Sequence, residues 1–349
     1  MRYRADLPAD PAIRRILVIK WSAMGDVILA TALFEDIAQA FPGRELHLNT
    51  LPTWQGLFAE DMRFQHILAI DLRDPSQQVT AFREWLRHVR SQHYDLVIDL
   101  QCNDRSRLLL SLLWLSGYRI PYRLGNRQQF PYNIAPAELP KPAHTIDRGR
   151  AALWAGNIPA TTPRPVLHVS DSHYARAREL MAVNNLMPDQ FAVFLPGCNA
   201  NGYLKRWGAA RYAALANRLH QAGLARIALI GGPDEAEECQ RIAQACGPWL
   251  INLCGQTAIL DIPPLCEPAR FIVANDTGVA HLAAATATLM LVLCGPTDPR
   301  RVKPLGDNVV TLQADLPCIN CYRKTCSHQS CMAMLTPSFI FKYLQRLVH

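Results

Sequence analysis

One stretch of the sequence has the residue types and spacing to hold a phosphate. Phe271-Ile-Val-Ala274 is a short apolar run with strand character. Asn275-Asp276-Thr277-Gly278 interrupts it, and an alanine-rich helical run resumes and continues to Ala285. A strand, a tight polar turn and a helix start follow one another. The first N–H groups of such a helix lack partners within it and carry the positive end of its dipole, so an anion is stabilised there. Asp276 and Thr277 have the chemistry of helix caps, and Gly278 lets a ligand approach the backbone. His281 follows about one turn later. The same residues also spell an ordinary capped helix, and this stretch alone does not choose between the two.

The elements that would position the turn alternate along the chain. Arg15–Lys20 is a continuous β-branched run of the kind buried in parallel sheets. Trp21–Asp26 turns with a glycine, and Val27–Ala40 is an amphipathic helix stopped by Phe41-Pro42-Gly43. Strands are expected at Glu45–Asn49, Ile67–Ile70 and Asp95–Leu100, and helices at Phe82–Gln92 and Asp147–Trp154. Residues 117–145 lack periodicity and read as a long surface loop. Residues 1–12 read as an untethered tail. Ala160-Thr-Thr-Pro-Arg-Pro165 reads as a linker between domains. A second series follows, with strands at Phe191–Leu195, Arg226–Ile230, Phe271–Ala274 and Leu289–Leu293. Its helices are expected at Ala209–Ala222 and Glu235–Ala245, with a last one at 337–348. Strand alternating with helix implies an α/β fold of two Rossmann-like halves.

Ligands of open parallel sheets bind at the carboxyl ends of the strands. The polar clusters that fall there are Ser22–Asp26, Asp99–Asp104, Pro196–Lys205, Gly231–Glu235 and Asn275–His281. Two such halves suit an enzyme with two substrates. The sequence lacks G-x-G-x-x-G, G-x-x-x-x-G-K-[ST] and G-x-S-x-G, which weighs against a dehydrogenase, a P-loop NTPase and an α/β-hydrolase. Across 349 residues the net charge is +7, too weak to argue for nucleic acid but suited to an acidic substrate or an anionic membrane face. Eleven scattered cysteines in a chain of this length suggest reduced thiols and a cytoplasmic protein, with no signal peptide visible. Leu108–Leu115 is far too short to span a bilayer. Cys318, Cys321, Cys326 and Cys331 form a dense segment whose thiolates could hold a structural metal, or remain free.

Five segments, in order, resemble glycosyltransferase family 9, the ADP-heptose:lipopolysaccharide heptosyltransferases. They are Ile16–Val27, Tyr94–Gln101, Pro196-Gly197 with Lys205-Arg206-Trp207, Val273–Ala284, and Pro317–Cys321 with Cys326 and Cys331-Met332. The resemblance implies the GT-B architecture, two Rossmann-like domains facing across a cleft. An acceptor-binding domain would occupy 1–165 and a donor domain 166–335, with helix 336–349 returning to the first. It also implies inverting transfer of heptose from ADP-heptose to the inner core of lipopolysaccharide, an acceptor of the lipid A–Kdo type. No cofactor or catalytic metal would be needed, and the enzyme would work at the cytoplasmic face of the inner membrane.

By position, Asp26 would be the general base, with Asp99 second to it. Lys205 would neutralise the departing diphosphate. Gly197, Glu235, Asp276, Thr277, Gly278 and His281 would bind the nucleotide sugar. Arg119, Arg123 and Arg127, in the irregular loop, would meet acidic groups of the acceptor. Each also has a plainer reading, as a helix cap, a turn support or a solvated charge. The chain departs from the family in carrying Gly208 where a proline usually follows K-R-W, and in having Asn199, Asn201 and Tyr203 in the donor loop. Another nucleotide sugar, a protein acceptor, or a non-catalytic nucleotide-sugar binding module remain the alternatives.

Overall fold

The computed structural model describes residues 6–348, apart from 73, 75, 77, 140–143 and 199. Asn199 and the side chain of Asn201 therefore lie outside the described residues. The chain divides into two units, Met1–His168 and Val169–His349. The division falls just beyond Ala160–Pro165.

Unit 1 holds strands β1 (Arg15–Ile19), β2 (Glu45–Thr50), β3 (His66–Ala69), β4 (Leu96–Asp99) and β5 (Tyr122–Leu124). Its longer helices are α1 (Met24–Ala40), α2 (Gln78–Gln92), α3 (Asp104–Leu115) and α4 (Thr145–Ala155). The sheet is parallel throughout, in the order β3-β2-β1-β4-β5. Ile16 to Ile19 are fully buried because β1 lies at the centre of the sheet, covered on both faces. Helix α2 starts four residues before the expected Phe82, because of Gln78–Ala81 only the small Ala81 is buried, too little to leave an apolar period. Residues 117–145 are less irregular than expected. They contain β5 and its bridge from Leu124 to Ile134, a strand too short to leave a pattern.

The described part of the N-terminal segment is tethered, contrary to expectation. Leu7 is fully buried, its N–H donates to the Gly156 carbonyl, and Tyr122 donates its hydroxyl to Asp10 at 2.6 Å. A side chain at Gly156 would strike the Leu7 and Leu124 methyls, so the helix ends there without one. The linker is held as well. Asp36 Oδ1 accepts from the N–H groups of Thr161 and Thr162 and from the Thr162 hydroxyl. Arg63, nearly buried, pairs with Asp61 at 2.6 Å and Glu35 at 3.2 Å and donates to the carbonyls of Thr31 and Val166. These bonds of the guanidinium all go to charged or carbonyl oxygens, which is the condition for burying a cation.

Unit 2 holds β6 (Phe191–Leu195), β7 (Arg226–Leu229), β8 (Leu250–Asn252), β9 (Phe271–Asn275), β10 (Met290–Cys294) and β11 (Val309–Gln313). Its longer helices are α5 (Asp171–Val183), α6 (Ala209–Gln221), α7 (Ala236–Gln244), α8 (Gly278–Ala283) and α9 (Pro337–Val348). This sheet is also parallel, ordered β11-β10-β9-β6-β7-β8. The edge strands β8 and β11 and helix α5 were not legible in the sequence, since their residues are only partly buried and carry weak periods. Ile340 and Leu344, one turn apart on α9, enter the core formed by Trp207, Tyr212 and Leu215, and α9 packs on α6 within unit 2. Among the described residues no helix is long and apolar enough to cross a membrane.

A row of imidazoles crosses the β2–β3 edge of the first sheet. His47 contacts Tyr94 and Glu45 at 2.8 Å each, and His66 stacks on His88 at 5.1 Å. Burial holds the pKa of His47 and of His88 below the ordinary value. Glu45 partly counters this at His47, and the neighbouring His66 adds to it at both. A depressed histidine pKa contributes stability above the unfolded value of about 6.5, and that contribution drains as pH falls below it, because the unfolded chain takes the proton first. The urea midpoint should therefore fall between about pH 7.5 and 5.5, and fall less in His88→Gln. Identical pH slopes for the two proteins would contradict this.

Candidate active site

In unit 1 the loop after β1 is fixed by amides. Gln101 Oε1 accepts from the N–H groups of Trp21 (3.0 Å) and Ser22 (3.2 Å). Asn49, fully buried, accepts the indole N–H of Trp21 and of Trp85 on one oxygen and donates to the Leu68 carbonyl. Trp54 donates to the Trp21 carbonyl at 2.9 Å. This loop delivers Asp26 to the first turn of α1, where its Oδ2 accepts from the Ala23 N–H at 3.2 Å. A carboxylate so placed is supported by the helix dipole.

Asp26 lines a concave pocket with Lys20, Ser22, Asp99, Gln101, Asn126, Arg127 and Arg148. Lys20, which sequence reasoning treated only as the end of a strand, is 6% exposed and sits 3.4 Å from the Leu100 carbonyl. Burial pulls its pKa down, while the charges of Asp26, Cys102 and Asp99 oppose that. A lysine closing an apolar run immediately before a polar loop was the available signal. Asp99 is fully buried and accepts from Tyr132 (2.6 Å), Gln101 N and Cys102 N. Burial raises its pKa, against those hydrogen bonds. The hydrogen bonding matches its plainer reading as a turn cap.

The three loop arginines separate. Arg127 lines the pocket and pairs with Asp104 at 3.3 Å. Arg119 lies over the Trp114 ring at 4.7 Å, on the exterior. Arg123, expected to reach an acceptor, instead donates to the carbonyls of Pro131, Ile120 and Pro121 and braces its own loop. Burial lowers its pKa.

In unit 2 the turn between β9 and α8 is as expected in outline and different in detail. Thr277 is the residue before the helix, but neither it nor Asp276 caps α8 with its side chain. Asp276, 5% exposed, accepts from the Thr297 hydroxyl at 2.6 Å and pairs with Lys205 at 2.8 Å. Burial works against the Lys205 charge, yet the Asp276 carboxylate outweighs it and the lysine pKa is raised. The ammonium is therefore kept charged beside Thr277 and Gly278. His281 is buried on α8.

Asn275 ties this turn to its neighbours. Its oxygen accepts from Trp207 N (3.3 Å) and the Tyr212 hydroxyl (3.1 Å), and its amide donates to the Pro196 carbonyl. Arg206 links the Cys198 carbonyl to the Asp234 carbonyl and to Glu238. Trp207 then turns into the core, its indole donating to Leu335. Gly208 follows at φ +99, a conformation closed to proline and strained for other L residues.

Gly197 and Glu235 are in contact. A Cβ at Gly197 would lie 2.0 Å from Glu235 Cγ. Glu235 Oε2 accepts from Gly232 N at 2.6 Å, which caps its own turn as the plainer reading held. Burial raises its pKa, and the Gly232 hydrogen bond and Arg206 pull it back.

Cys318, Cys321, Cys326 and Cys331 line one small cleft with Leu204, Pro296 and His328. All eleven cysteines are free thiols. Among the described residues no group of three or more His, Cys, Asp or Glu side chains is arranged to hold a metal ion. The cysteine segment does brace the Lys205 loop, because Gln329 donates to the Leu204 carbonyl at 3.0 Å.

Two parallel α/β units, with charged loops at the strand ends, describe a glycosyltransferase of the GT-B fold. The family model "Glycosyltransferase family 9 (heptosyltransferase)" matches residues 82–332, and the chain belongs to that family. It is 28% identical to the lipopolysaccharide heptosyltransferase 1 of Pseudomonas aeruginosa, covering 90% of this chain and 88% of that one. It is 30% identical to the lipooligosaccharide heptosyltransferase 2 of Haemophilus influenzae, with 85% and 88% covered. Among solved structures, a family 9 glycosyltransferase from Veillonella parvula superposes with a TM-score of 0.83 at 19% identity, covering 97% of this chain and 98% of that one. The Escherichia coli heptosyltransferase WaaC with ADP superposes at 0.71 and 20%, covering 95% and 99%.

The contact at Gly197 generates a prediction. Gly197→Ala should force Glu235 away from Gly232 and lower stability by about 1–3 kcal/mol, as overpacking does. It should also weaken binding of ADP. Calorimetric melting with and without ADP checks both, and an unchanged melting temperature would mean Glu235 moves aside freely.

Proposed function

We propose that this glycosyltransferase moves heptose from ADP-heptose to the inner core of lipopolysaccharide, with inversion at the anomeric carbon. The observation that carries the donor half is the Lys205–Asp276 pair at the β9–α8 turn, an ammonium kept charged where a diphosphate would sit. The family membership and the full-length relatives support the sugar and the acceptor. Thr277 and Gly278 would receive the diphosphate through backbone N–H groups, with His281 behind them and Glu235 and Gly197 shaping the nucleoside side. The acceptor, which bears anionic groups, would lie in the pocket of Asp26, Lys20, Arg127 and Arg148. Arg119 would serve any acceptor charge lying outside that pocket.

Chemically, the Asp26 carboxylate takes the proton of the acceptor hydroxyl as that oxygen attacks the anomeric carbon. The bond from that carbon to the β-phosphate oxygen breaks, and ADP leaves with the electron pair. Lys205 meets the charge that develops on the leaving phosphate, so the step needs no metal in this reading. The protein would act where its acceptor is made, at the cytoplasmic face of the inner membrane.

Asp26→Asn should bind ADP as the wild type does and lose transfer by about 10²–10⁴. Transfer at the wild-type rate would remove Asp26 as the base. Lys205→Met should lower kcat by about 10² while Asp26→Asn and wild type bind ADP alike. An unaltered kcat in Lys205→Met would sink the leaving-group role. Both are measured by release of ADP with ADP-heptose and a core acceptor.

A further inference from the structure

Helix α3 is apolar on two sides. Leu109, Leu110 and Leu113 are buried in unit 1. Leu108, Leu112 and Leu115, spaced i, i+4 and i+7, form a second stripe that faces solvent, and Leu115 is 69% exposed. On the flank of the same helix end, Phe130, itself half exposed, meets the Trp114 ring edge-on at 5.3 Å. Single exposed leucines are ordinary on a protein surface, but three aligned on one helix face, with an exposed aromatic pair at the same helix end, mark a contact surface.

Charge identifies the partner. Residues 101–136 contain five arginines and one acidic residue, Asp104, and so hold most of the chain's excess of positive charge. Arg119 lies across Trp114, beside the patch. Arg107 and Arg127 share Asp104 at the start of α3, which leaves that corner cationic. An apolar stripe with an aromatic pair, rimmed by arginines, fits the boundary between the acyl chains and anionic headgroups of a bilayer.

The helix that carries the stripe also reaches the Asp26 pocket through its first turn. Arg127 lines the Asp26 pocket and through Asp104 touches the first turn of α3. We propose that the exposed face of α3, with Trp114 and Phe130, docks this enzyme on anionic lipid bilayers beside its acceptor pocket. The glycan of a lipid-anchored acceptor then enters the pocket without its lipid leaving the membrane. This last step rests on the transferase reading given above; the docking itself does not.

The test is co-sedimentation with vesicles of phosphatidylcholine alone and of phosphatidylcholine with roughly 30% phosphatidylglycerol. The full chain should bind the anionic vesicles, and bind less as salt is raised. A Leu108→Ser, Leu112→Ser, Leu115→Ser triple variant should bind them at least about tenfold more weakly. It should keep its circular dichroism and its rate on a delipidated core oligosaccharide. Equal vesicle binding by the two proteins, or none by the wild type, would overturn the proposal. So would a wild-type dimer that becomes a monomer in the variant, since a second copy would then cover the face. Loss of the oligosaccharide reaction in the folded variant would also overturn it, because the face would then belong to the acceptor site. Failure of the wild type itself to use the oligosaccharide, with vesicle binding intact, would reject the transferase reading and leave the docking surface standing.

Discussion

A parallel sheet leaves its strands ending together, and the loops that follow must find new partners for backbone groups that no longer have a ladder. In both units of this protein a buried carboxamide meets that need. Asn275 ends β9 and holds the Pro196 carbonyl, Trp207 N and the Tyr212 hydroxyl. Asn49, one residue before the end of β2, holds two indoles and the Leu68 carbonyl, while Gln101 gathers the N–H groups of Trp21 and Ser22. An amide can donate and accept at once without carrying charge, so it can be buried where a carboxylate would need a cation. The groups proposed to act on substrate, Asp26 in one unit and Lys205 in the other, sit at the ends of loops that these amides fix.

Charge is placed on that frame with different environments for the two carboxylates of unit 1. Asp99 is enclosed and its oxygens accept from a tyrosine and two backbone groups, which fixes a turn. Asp26 borders an open pocket and is held by a single backbone N–H at the helix start. The two carboxylates therefore differ in how many of their lone pairs the protein already uses, and that difference is the ground on which Asp26 rather than Asp99 is proposed as the base. Lys205 shows the converse. Burial alone would pull its pKa down, and Asp276 more than restores it.

The outline of the fold was readable because buried parallel strands are runs of β-branched and aliphatic residues ended by polar turns. β1, β6, β9 and β10 announce themselves in this way, and so does the polar turn after β9. The short or edge strands β5, β8 and β11 did not, because three to five half-buried residues leave no period to read. Helix α3 was visible only as an aliphatic stretch. Its two apolar faces, one packed and one open, look alike in one dimension.

The sequence by itself determined which residue types stand at each strand end, and hence the family and the class of chemistry. It did so because loops at the carboxyl edge of a parallel sheet are free to carry polar residues while the strands are not. Only the tertiary structure decided how those residues are used. Asp276 was expected to cap its helix and instead secures Lys205, since a lysine from a loop some seventy residues earlier in the chain comes within 2.8 Å. Arg123 was expected to face an acceptor and instead holds three carbonyls of its own loop. Lys20 looked like the end of a strand and lies in the Asp26 pocket. A side chain's role follows from which groups surround it once the chain is folded, and most of those groups are distant in sequence.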